Sequence, residues 1–575
     1  MISADAPEGS SRGLSMIAHG ADETRSARRN ARRATLLLGC CTIGALAACS
    51  SDDRGADAAV TTAATTPTTT ASAPATDGPM TSTTPATEAP AEPTTPQTDE
   101  RAQTTTPETD AHVESTTSTI ARPEGPAADV SEELTGGKGA FIAAGTTTDL
   151  GGGYVEHEYV ASGTASSYVA SGELTADGEW TFTPDATGPY RTRVLVRRPE
   201  EAADFSGVVI VEWLNVSGGV DANPDFETMR EEIMREGAAW VGVSAQIIGV
   251  EGGPVAVRVP GDLAAAVVGK GLKGIDPARY GSLQHPGDAF SYDIFTQVAR
   301  SLRAGGALGD LQPVHVVAAG ESQSAFAMVT YINGVQPLTK AFDGFFVHSR
   351  GAVGLALVPA GAPSDIAGSF GGTPSILRAD TDVPIFELQT ESDVAGILNS
   401  FSARQPDTDL FRLWEVAGTA HADAHTLGSN AGTIDCGTPI NDGPLHVVAK
   451  AALRHFVTWV ESGVAPPTAP LLDVTGGALQ LDDDGIARGG LRTPPVDVPD
   501  RILSSTPGPT ASIICTLLGS TNPMTAERLA ELYPSRADYE QRYAAAADES
   551  IAAGYVLEQD RAALDAYSHP ELVAG

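Results

Sequence analysis

From residue 207 onward the chain repeats one pattern. A short unbroken apolar run is followed by a stretch whose apolar residues recur at helical spacing. The clearest runs are 207–214 (GVVIVEWL), 238–244 (AAWVGVS) and 314–319 (VHVVAA), with further strands expected at 342–348, 383–389 and 410–416. Runs without polar alternation belong to strands covered on both faces, as in parallel sheets flanked by helices. Helices are expected over 224–236, opened by Pro224 and Asp225, and over 289–304, 323–333 and 445–461. This alternation specifies an α/β fold with a doubly wound, mostly parallel sheet. Shorter alternating stretches between 154 and 198 (YVEHEYVASG, GEWTFTP, YRTRVLVRRP) predict an N-terminal antiparallel extension. Two long Gly/Pro-rich segments, 246–287 and 350–381, read as cap loops. Residues 464–575 read as a wrapping segment of the same domain, with a small appended domain as the alternative.

The chain has 575 residues, more than one ordinary domain needs, and the excess lies at the front. Residues 25–33 (RSARRNARR) are basic and 34–48 (ATLLLGCCTIGALAA) are apolar, which together read as a secretory signal. The apolar stretch is too short to span a bilayer, which takes roughly 18–20 residues. It ends at Leu46-Ala47-Ala48-Cys49, which resembles a bacterial lipobox, so Cys49 is the expected lipidation site and 1–49 the signal. Residues 50–135 are dominated by Thr, Pro, Ala and acidic residues, with no aromatic, Leu or Ile from 52 to 119. Such a stretch cannot bury enough apolar surface to offset its ordering entropy and is expected to be a disordered spacer. The folded domain is therefore expected over 136–575, at the cell surface, touching the membrane only through the lipid anchor. In an oxidising space Cys436 and Cys515 can pair; two separate buried thiols are the alternative. The 36 basic residues against 73 acidic ones give a net charge of −37, which argues against nucleic acid as a partner. The oligomeric state is left open.

The strand at 314–319 runs into Gly320-Glu321-Ser322-Gln323-Ser324, and a helical pattern follows. This is close to G-x-S-x-G, in which a sharp strand-to-helix turn projects a serine hydroxyl at the strand's C-terminal edge. Small residues are required where strand and helix approach, and Ser324 in place of the last glycine is still small. Ser322 is the candidate nucleophile. Such a serine needs a base, and the base needs an orienting acid, supplied in the order Ser, acid, His. The strand at 383–389 ends in Gln389-Thr390-Glu391-Ser392-Asp393, where two carboxylates compete. Asp393 is placed ahead of Glu391, which would need a shorter loop. The strand at 410–416 leads into Ala417-Gly418-Thr419-Ala420-His421, a small-residue loop that lets an imidazole approach the serine. His421 is the candidate base; His425 is a supporting or exposed residue.

The oxyanion of an acyl-transfer intermediate needs two backbone N–H donors. Gln323, directly after the nucleophile, and Val216, in the loop after 207–214, are the candidates. Asn215, Glu321 and His348 are candidate pocket residues. No H-E-x-x-H or paired C-x-x-C occurs, so neither metal nor other cofactor is expected.

These residues together resemble the α/β-hydrolase superfamily, and within it the bacterial alpha/beta hydrolase domain-containing proteins. The resemblance runs from about residue 138 to near the C-terminus. It is carried by VVIVEWLNVSGG (208–219), RYGSLQHPGDAFSYDIFTQ (279–297), GESQSA (320–325), EVAGTAHAD (415–423) and CGTPINDGPLHVVAKAALRHFVTWVESG (436–463). It implies a sheet of α/β-hydrolase type and serine-hydrolase chemistry. The expected function is an exported serine hydrolase acting on a small-molecule or lipid-like carboxylic ester through an acyl-enzyme. The alternatives are a peptidase, amidase or acyltransferase on the same fold, and a non-catalytic surface binding protein that retains it.

Overall fold

The computed structural model describes residues 122–143, 150–258 and 266–575. The signal, Cys49 and the spacer up to residue 121 lie outside the described residues. A nine-stranded sheet organises the domain, in the order β1-β2-β3-β5-β4-β6-β7-β8-β9. Its strands are β1 Asp129–Glu133, β2 Tyr154–Ala170, β3 Phe182–Pro199, β4 Val208–Trp213, β5 Ala239–Val243, β6 His315–Glu321, β7 Phe345–His348, β8 Ile385–Thr390 and β9 Phe411–Val416. From β5 across to β9 every pairing is parallel, whereas β1, β2 and β3 attach antiparallel.

The unbroken apolar runs are explained by burial on both faces. In β4, Val209, Val211 and Trp213 enter one core, while Val208 and Ile210 enter the other. The helices Ser291–Arg303 and Gln323–Thr330 cover the first face through Phe295, Val298, Leu302 and Phe326. The helices Pro224–Arg235 and Leu445–Ser462 cover the second through Phe226, Met229, Leu453 and Phe456. One polar residue interrupts β4. The buried carboxylate of Glu212 accepts the backbone N–H groups of Asp225 (3.1 Å) and Phe226 (3.0 Å) and the indole N–H of Trp240 (2.8 Å). It thereby caps a helix whose first N–H groups have no acceptor within the helix.

Two expectations change. The extension is not a set of short strands but a hairpin of two long ones, 17 and 18 residues. Pro189 does not break β3, because it lies where β3 pairs with β2 alone; the pairing with β5 covers only Arg197 to Val194. A proline, which has no N–H to donate, is tolerated where no second ladder needs one. The spacer boundary also moves: β1 falls within 50–135, paired to β2 at Glu132–Val160 and Glu133–Tyr159. Only Val130 of its five side chains is buried, so its composition looks like linker.

The C-terminal segment packs on this same body. The indole N–H of Trp414 in β9 donates to the Pro467 carbonyl (2.8 Å), and Lys450 bonds Asp560 (2.9 Å). Cys436 and Cys515 form a disulfide across 79 residues.

Candidate active site

The elbow forms where β6 ends. Ser322 stands between strand and helix at φ 59°, ψ −121°. A non-glycine residue held in such a conformation costs about 1–3 kcal/mol and persists only where its surroundings enforce it. They do so here: the Ser322 N–H donates to the His348 carbonyl of β7 (3.0 Å), and a Cβ at Gly320 would crowd the backbone of Ser324 at 3.0 Å. Ser324 itself is fully buried, so the small-residue requirement is met without glycine.

The candidate acid Asp393 lies in the turn after β8. Thr390 and Asp393 form a capping box around the short helix Glu391–Val394, which curls the Asp393 side chain back toward the strand end. Its Oδ2 accepts from the Ser349 hydroxyl, the Thr390 N–H and the Thr390 hydroxyl, each at 2.7 Å. Its Oδ1 lies 2.6 Å from Nδ1 of His421. Burial pushes this carboxyl up, but His421 beside it and the hydrogen bonds from His421, Thr390 and Ser349 outweigh burial and hold it below the usual aspartate value. Glu391 points elsewhere. It is buried and accepts the backbone N–H groups of Gly418 (2.5 Å) and Ser505 (3.0 Å), so it fixes the start of the histidine loop.

His421 closes the line. Its Nε2 is 2.8 Å from Ser322 Oγ. Gly418 lets the loop leave β9 at φ 72°, and a Cβ there would strike Val496 at 2.4 Å. The Ala422 N–H donates to the Leu517 carbonyl (3.3 Å), in the segment that the disulfide ties down. Burial lowers the imidazole's basicity, yet Asp393 and then Glu321 raise it to about 8. His425 does not join this line; its ring stacks on His446 at 3.6 Å.

The other expected site residues are placed differently. The Gln323 N–H opens its helix and therefore has no acceptor within it. The Val216 N–H is not an open donor: it is taken by the side-chain Oε1 of Gln323 (3.1 Å). The Gln323 amide is in turn held by Gln246 (2.7 Å), which also accepts from Trp213 (2.9 Å). Asn215, Glu321 and His348 are all buried and hydrogen-bonded. His348 is 1% exposed and bonds Asp225 through Nδ1 (2.9 Å). Asn215 donates through Nδ2 to the Glu321 carbonyl (3.2 Å) and carboxylate (3.3 Å), tying the β4 loop to the elbow.

Described residues of the two long loops meet beside Val216. Ile248 and Ile366 pack on Val216, and the Phe370 ring meets Phe326 edge-on. Buried Asp288 joins the two loops by accepting the N–H groups of Ile247 and Ser364, each at 2.7 Å. Sequence reasoning missed this residue; its one signal was its position within the family-like stretch 279–297.

A parallel sheet carrying a strained serine turn after β6, with a buried aspartate after β8 and a histidine after β9, defines an α/β hydrolase. The chain belongs to the family described as the alpha/beta hydrolase domain, whose model matches residues 124–566. No curated protein matches it. Similar solved structures include an α/β serine hydrolase without lid from Xanthomonas campestris (14% identity, 44% of this chain and 83% of that one, TM-score 0.22). Others are a putative dienelactone hydrolase from Klebsiella pneumoniae (13% identity, 53% and 99%, TM-score 0.26) and a glucuronoyl esterase from Solibacter usitatus (11% identity, 52% and 82%, TM-score 0.25).

Proposed function

We propose that this α/β hydrolase is an exported serine hydrolase that cleaves a carboxylic ester through an acyl-enzyme. The observation that carries the reading is the unbroken line from Asp393 through His421 to Ser322, 2.6 Å and then 2.8 Å. Asp393 holds the Nδ1–H, so the Nε2 lone pair faces the serine hydroxyl. Ser322 Oγ attacks the ester carbonyl as its proton passes to Nε2, and the developing oxyanion takes a hydrogen bond from the Gln323 N–H. His421 then returns the proton to the departing alkoxide, leaving Ser322 acylated. Water, deprotonated by the same imidazole, releases the acid. A small-molecule or lipid-like ester is the substrate class.

A fluorophosphonate probe is expected to label the folded protein once, and peptide mapping places the label on Ser322. A well-folded protein that takes no label sinks the hydrolase reading and favours a binding protein.

Export and anchoring belong to the same reading, supported by the sequence of 25–49 and by a disulfide suited to an oxidising compartment. Cys49→Ser is expected to move the protein from the membrane fraction to the soluble fraction; retention in the membrane overturns the anchor.

A further inference from the structure

His421 has a second acidic neighbour. Glu321 Oε1 lies 3.3 Å from Nε2, the same nitrogen that meets Ser322 Oγ, so the imidazole stands between two carboxylates. Glu321 is not free to swing away. Its side chain is 9% exposed, and its Oε2 accepts from Asn215 Nδ2. Asn215 cannot turn its amide round, because its Oδ1 already accepts the Ser217 N–H (2.9 Å) and the Ser217 hydroxyl (2.7 Å). A fixed donor on one carboxylate oxygen leaves the other aimed at the histidine.

We propose that Glu321 is a positioning residue for His421, whose charge strengthens the imidazole as a base and stabilises the imidazolium formed when Ser322 gives up its proton. The inference rests on the hydrolase reading above for its role in turnover, but the Glu321–His421 coupling stands by itself. An ionised carboxylate 3.3 Å from a neutral imidazole's lone pair repels it. Once Nε2 carries a proton, the same contact becomes attractive. The interaction is therefore stronger in the transition state than in the resting enzyme, which is the condition for acceleration. The proton moves from Ser322 Oγ to Nε2 and then to the leaving alkoxide; Glu321 neither gains nor loses it.

The charged and titratable groups around this pair come from four elements. His421 faces Asp393, from the turn after β8, and Glu321 from β6. Glu321 and His348 are register partners on β6 and β7, and Asp225 on the Pro224–Arg235 helix lies behind His348. Burial raises the Glu321 carboxyl to about 7, against the pull of His421 and His348 and helped by Asp225 and Asp393. Its charge is present above that pH and lost below it. The base form of His421 appears above about 8, so activity rises with pH through that region.

The test is Glu321→Gln, with kcat/KM on p-nitrophenyl acetate measured from acid to alkaline pH and the His421 ring titrated by NMR. The His421 midpoint and the acid limb of kcat/KM are expected to fall together by about one pH unit, with the alkaline plateau reduced roughly three- to tenfold. A plateau loss without movement of either midpoint makes Glu321 structural only and overturns the proposal. If the wild type neither turns over esters nor takes the fluorophosphonate, the hydrolase reading fails; the NMR midpoint still decides the coupling. Should the glutamine variant not fold, Glu321→Asp, which draws the charge back by one methylene, is expected to move the midpoint the same way by about half as much. An unmoved midpoint there is equally fatal.

Discussion

Ser322→Ala is expected to lower kcat for p-nitrophenyl esters by on the order of 10⁶ while the protein keeps its fold. The alanine keeps the backbone bond from residue 322 to His348 and the packing around Gly320, and removes only the atom that bonds the substrate carbon. The elbow's strain remains with alanine, since φ 59° disfavours any side chain, so the melting temperature is expected to stay within a few degrees of wild type. Residual turnover within tenfold of wild type, in protein free of contaminating esterase, would falsify the assignment of the nucleophile.

The acid gives the second large effect. In Asp393→Asn the amide N–H is expected to donate to Nδ1 of His421. The imidazole proton then moves to Nε2, where it blocks acceptance of the serine proton. A loss of about 10⁴ in kcat follows, with KM little altered. Glu391→Gln is expected to leave kcat within a few-fold of wild type. It weakens the Gly418 and Ser505 contacts and destabilises the fold by about 1–3 kcal/mol. The paired measurement is kcat beside a thermal melt for each variant. A kcat loss at Glu391 equal to that at Asp393, with unchanged melting, would reverse the two roles.

Residues with a local signature were readable in advance. Buried runs such as 207–214 carried their two-faced burial in composition, and the elbow carried its turn in Gly320-Glu321-Ser322. The order expected of serine, acid and histidine came from the pattern of the fold. What escaped depended on contacts between distant residues. Strand β1 (DVSEE) buries one side chain, so hydropathy could not separate it from the spacer. Asp393 and Glu391 are both buried carboxylates in one turn, and only the capping box turns one toward His421 and leaves the other for Gly418. The Val216 N–H is captured by the Gln323 side chain across 107 residues, a contact that no spacing announces. His348 lies at the end of a strand whose neighbour bears the nucleophile, which suggested a pocket. Its Nδ1 meets Asp225, in the first turn of the Pro224–Arg235 helix.

Asp288 carries a consequence for the two long segments that follow β5 and β7. One buried carboxylate fastens both segments, at Ile247 and Ser364, so displacing either one leaves that carboxylate short of a donor. The described parts of these two segments therefore share one anchor rather than having one each.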